Sequence, residues 1–153
     1  MPDTAGMNPL LLLLGLAAGA GLALQAGANT TMGRVAGSPE WGPVVNFAVG
    51  LVALLALLFL RGVRPPAAVE LARAPWWAWT GGLLGAFYVT AVVLLAPRLG
   101  VATTLALVIA GQALGSLVVD HYGLVGMAVR GMSLARAAGA GLLVLGVILI
   151  RRG

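Results

Sequence analysis

Residues 43–60 read PVVNFAVGLVALLALLFL and are followed at once by Arg61. An uncharged run of that length, at 1.5 Å of rise per helical residue, covers about 27 Å, close to the roughly 30 Å hydrocarbon thickness of a bilayer. It lacks the polar and apolar alternation of a membrane barrel strand, so a transmembrane helix is predicted. Pro43 suits a first helical turn, and Arg61 and Arg64 stop the run in the headgroup region.

Four more runs extend outward from this one. Met7 to Asn29 lies inside an uncharged stretch bounded by Asp3 and Arg34. A cleaved signal peptide is the competing reading there, but the residues before Leu10 hold Asp3 and no basic residue, so a retained helix is expected. Trp76 opens a run that continues to Ala96 before Pro97 and Arg98, and Trp76, Trp77 and Trp79 read as an interfacial aromatic anchor. Gly100 to Val119 follows and ends at Asp120 and His121. The last stretch free of charge, Ala137 to Ile150, covers only about 21 Å, so its helix is expected to reach back past Arg136, whose side chain snorkels, and forward to Arg151. The expected fold is an all-α integral membrane protein, one membrane domain over residues 1–153 with helices near 7–29, 43–60, 76–96, 100–119 and 134–150.

Composition excludes most other classes. Of 153 residues, 61% are hydrophobic and 8% charged, with a mean hydropathy of +1.05. A soluble core of this size has no room for so much apolar surface, whereas a bilayer solvates it directly. All nine basic residues are arginine. They lie singly or in small groups at the ends of apolar runs, without a basic stripe or aromatic stacking platform, so nucleic acid is not an expected partner. No cysteine is present, which excludes disulfides and thiol chemistry. One histidine and four carboxylates at or beyond helix ends leave no convergent nucleophile, base or metal cluster, so neither an enzyme, a metal site nor a cofactor is expected.

Five spans place the termini on opposite sides. Arg61, Arg64, Arg73, Arg130 and Arg136 fall on the N-terminal side, against Arg34, Arg98, Arg151 and Arg152 on the other. So small a bias barely orients the chain under the positive-inside rule. Two readings stand: insertion in both directions, which allows an antiparallel dimer of the inverted-repeat kind, and a single orientation set by local features.

Small residues recur at packing distance in Gly15 and Gly19, Gly81 and Gly85, and Gly111 and Gly115, and are expected to let helix backbones approach. Gln25 and Asn29 share a face of the first helix with Ala17 and Gly21. Gln112, Ser116 and Asp120 repeat that spacing in the fourth. A buried amide in hydrocarbon needs partners, so these faces are expected to meet a neighbouring helix or a wet path, as interhelical glue or as lining for a solute. Tyr88 raises the same choice for its hydroxyl. Asp120 and His121 admit either proton or cation coupling or a helix-end anchor.

The blocks QAGAN at 25–29, FAVG at 47–50, PWWAWTGGLLG at 75–85, PRLG at 97–100, GQ at 111–112 and DHYG at 120–123, in that order, resemble the five-helix YdcZ-like family of the drug/metabolite transporter superfamily. Asn46 departs from the small hydroxyl residue expected before Phe47. The resemblance implies an inner-membrane secondary transporter subunit moving a small solute by alternating access, as an antiparallel homodimer or with a paired homologous subunit. It implies no particular substrate. A passive dual-topology channel and a non-transporting scaffold are the competing functions.

Overall fold

The computed structural model describes residues 8–152. Its long helices are α1 (Pro9–Val35), α2 (Trp41–Leu60), α4 (Thr80–Leu99), α5 (Val101–Tyr122) and α6 (Leu134–Arg152), with a short helix α3 (Ala68–Ala72) between α2 and α4. Five helices are long and apolar enough to cross a membrane, the third of them counted from Trp76 because a 3₁₀ turn over Trp76–Trp79 leads into α4.

Local chemistry explains the boundaries. Asn8 caps α1 by accepting from the Leu10 amide at 2.9 Å, with Pro9 in the first turn where its missing N–H costs nothing. α1 continues past Asn29 to Val35, taking Arg34 into its last turn. Charge is a poor marker of a helix end here, because arginine suits the C-terminal turn and its side chain reaches water from within it. Between α4 and α5 only Gly100 separates the helices, at φ 80° and ψ 152°, a backbone that a side chain would strain. Gly123, left-handed at φ 62°, ends α5 in the same way.

The stretch after Arg61 is more ordered than Pro65 and Pro66 lead one to expect, since α3 forms there with Glu70 accepting from the Ala67 amide at 3.1 Å. Trp76 and Trp79 are exposed, in keeping with an interfacial belt.

α1, α4 and α5 pack on one another, α2 lies against α1 and α4, and α6 packs chiefly along α5. Buried positions in α1, α2 and α4 fall between the midplane and one membrane face. They are Ala26, Asn29 and Gly33 in α1, Gly42 and Pro43 in α2, and Val89, Val92, Val93 and Ala96 in α4. α5 adds Thr104 and Ala110. The opposite halves, from Leu10 to Leu16 and from Leu51 to Leu60, are exposed. Since apolar burial drives nothing in lipid, dispersion contacts in the closed half hold the bundle together.

The glycine pairs do not perform this task within the chain. A Cβ at Gly15, Gly19, Gly81, Gly111 or Gly115 would meet no atom within 4 Å, and at Gly85 only Phe47, at 3.8 Å. Close approach occurs instead at Gly42, where a Cβ would come 2.9 Å from the Asn29 carbonyl carbon, and at Gly33, 2.8 Å from the Pro39 Cα. Spacing alone does not reveal which glycines face a neighbouring backbone.

Candidate solute path

Gln25, Asn29 and Tyr88 come together. They line one narrow cleft with Leu22, Ala26 and Val92, where α1 faces α4. Gln25 and Tyr88 are half-buried and Asn29 is 2% exposed. At 1.5 Å per residue, Gln25 stands about 15 Å from the Val35 end of α1 and Tyr88 about 16 Å from the Leu99 end of α4, so both lie near the bilayer midplane. The i, i+4 spacing that puts Gln25 and Asn29 on one face of α1 therefore aims both at α4.

Gln112 is placed differently. It lies about 16 Å from the Val101 end of α5, also near the midplane, but on an exposed face with Gly111, Gly115 and Ser116. The Ser116 hydroxyl donates to the Gln112 carbonyl at 2.6 Å and is satisfied within its own helix. Gln112 does not line the cleft of Gln25, Asn29 and Tyr88, so these polar residues form two separate regions at one depth.

A second cleft between α1 and α2 brings in Asn46, half-buried and grouped with Asn29, Met32 and Gly42. Sequence reading noted Asn46 only as a departure from a family pattern. An amide inside an apolar helix was the available signal. Nearer the membrane face, Thr30, Arg34, Ser38 and Pro97 line an open cleft of about 420 Å³. There the Thr30 hydroxyl donates to the Ala26 carbonyl at 2.8 Å. Pro97 has no N–H to offer the carbonyl of Val93, four residues earlier, which leaves polar backbone toward this cleft. The Ser38 hydroxyl donates to the Glu40 carboxylate and holds that carboxyl below its ordinary range.

Asp120 and His121 sit at the end of α5, away from these clefts. Asp120 pairs with the Arg136 guanidinium, and Arg136 also donates to the Arg130 carbonyl at 3.1 Å. The Arg130 amide donates to the Asp120 carbonyl at 2.7 Å. His121 accepts through Nδ1 from the Met132 amide at 3.4 Å. Together these bonds tie the connection between α5 and α6 to the helix ends.

The family described as "Putative inner membrane exporter, YdcZ" matches residues 10–149. The inner membrane protein YdcZ of Escherichia coli (strain K12) is 33% identical over 150 residues, covering 95% of this chain and 98% of that protein. No solved structure matches the chain. The match extends from the start of α1 to the last turns of α6 and so takes in all five apolar helices. The chain is a multi-pass inner membrane protein and belongs to the YdcZ family.

Proposed function

We propose that the chain is one subunit of a secondary transporter that moves a small solute by alternating access, with the path completed by a second, inverted copy or a paired homologous subunit. The exporter description of the family supports the transport class. The observation that carries the rest is the pair of polar regions at midplane depth. Gln25, Asn29 and Tyr88 lie in a cleft too narrow for a solute, while the Gln112 side chain lies on an exposed face of α5 beside Ser116, whose hydroxyl is satisfied within that helix. An exposed amide in hydrocarbon is costly, so a neighbouring protein surface or a wet path is its natural surrounding.

A second copy inserted the other way up brings its closed half beside the open half of the first, with both Gln112 side chains near the midplane. Transporter sites built from inverted repeats lie at that depth. The near balance of arginines on the two sides supports insertion both ways. Asp120 is assigned to anchoring rather than to ion coupling, because its carboxylate is engaged by Arg136 at a helix end.

Reconstitution in liposomes tests the reading. Saturable uptake of a panel of small solutes, responding to a proton or sodium gradient, is the expected result. Flux that stays linear in concentration without response to a gradient points to a channel, and absence of flux for every solute class to a scaffold.

A further inference from the structure

One face of α4 carries a groove that the transport reading does not use. It is an open, shallow groove running from Ala86 to Arg98 with Phe87, Ala91 and Leu95 between, and is lined by residues of α4 alone. The residues from Ala86 to Arg98 cover about 18 Å of helix, against about 15 Å for one leaflet of hydrocarbon. The groove begins near the midplane and ends at the membrane face, where Gly100 turns the chain into α5.

Arg98 is the one charged residue lining it. Among the described residues the single ion pair is Arg136 with Asp120, so the Arg98 guanidinium has no carboxylate partner. The same membrane face holds Arg34, Arg151 and Arg152 against one carboxylate, Glu40, which is engaged by Ser38. The local field there is positive, and a guanidinium binds a phosphate through paired donors.

We propose that this groove is a binding site for an anionic phospholipid, with an acyl chain lying along Phe87, Ala91 and Leu95 and the headgroup phosphate on Arg98. The unpaired cation at its outer end, in a positive local field, favours an anionic lipid headgroup over an apolar protein helix.

The test uses the full chain, purified in detergent, exposed to phosphatidylglycerol or to phosphatidylcholine with the same acyl chains, and examined by native mass spectrometry for retained lipid. Wild type is expected to retain phosphatidylglycerol preferentially. Arg98→Gln should reduce that preference roughly fivefold, the worth of one basic residue near the surface, and Arg98→Lys should restore much of it. Ala91→Trp fills the groove without altering charge, and is expected to lose the retained lipid while Arg61→Gln, on the opposite membrane face, keeps it. Equal retention of the two lipids by wild type, or an unchanged preference in Arg98→Gln, overturns the proposal. So does Ala91→Trp that disrupts self-association and leaves lipid retention intact, which assigns the groove to a second copy.

Discussion

The backbone of Gly42 packs against the carbonyl group of Asn29, so closely that a Cβ on Gly42 would stand 2.9 Å from the Asn29 carbonyl carbon and closer still to its oxygen. The contact joins α1 to α2 in the closed half of the bundle, at a residue whose amide lines both interhelical clefts. Gly42→Ala is therefore expected to push the two helices apart, with an overpacking cost of about 1–3 kcal/mol. Gly50→Ala, on the same helix where a Cβ meets nothing within 4 Å, is the control and is expected to be neutral or slightly stabilising. Thermal unfolding of both variants in one detergent measures the difference.

Gln112→Leu keeps approximate size and removes the amide. A residue that lines the solute path predicts abolished or re-specified transport in a dimer that still assembles. A residue that only bonds across the interface predicts a loss of dimer stability of about 0.6 kcal/mol with transport kinetics nearly intact. Dimerisation and uptake measured on the same preparation separate these outcomes, and the path assignment predicts the first.

Asp120→Asn and Arg136→Gln are each expected to loosen the connection between α5 and α6 without ending gradient-driven uptake. The pair is partly exposed, at 31% for the Arg136 side chain and 21% for that of Asp120, so its loss should cost about 1 kcal/mol or less. Tryptic cleavage at Arg130 should accelerate in both variants. If Asp120→Asn alone stops uptake while the connection stays resistant, the carboxylate carries the coupling ion and the anchoring assignment fails.

A reporter fused after Arg152 is expected to show activity on both sides of the membrane. Two arginines added beside Arg64 should drive the population to one orientation, because counts of five and four then become seven and four. A reporter confined to one side in the unmodified chain removes the homodimer form of the transporter and leaves the paired-subunit form.

Existence and number of the spans were legible in the sequence because lipid demands long uncharged runs, a signal that needs no knowledge of partners. Helix ends were less so. Arg34 lies inside α1 although its charge marked a boundary, and α3 formed beyond two prolines. The face shared by Gln25 and Asn29 follows from helical spacing, but its meeting with Tyr88 depends on how α1 crosses α4, which no local pattern records. Asn46 does carry a local signal, an amide inside an apolar helix, but its cleft exists only because Gly42 lets α2 come close to Asn29. The paired glycines carried the strongest visible motif and the least contact within the chain.

Confinement of the buried positions of α1, α2 and α4 to one half makes the subunit mechanically lopsided. Lateral pressure on the closed half meets interlocked side chains such as Val89, Val92 and Val93, whereas on the far half it meets helix flanks wetted by lipid tails. A single copy is thus held together in one leaflet and free to splay in the other. In the proposed inverted pair the closed half of each copy braces the open half of the other, so two subunits that are each loose in one leaflet become firm in both.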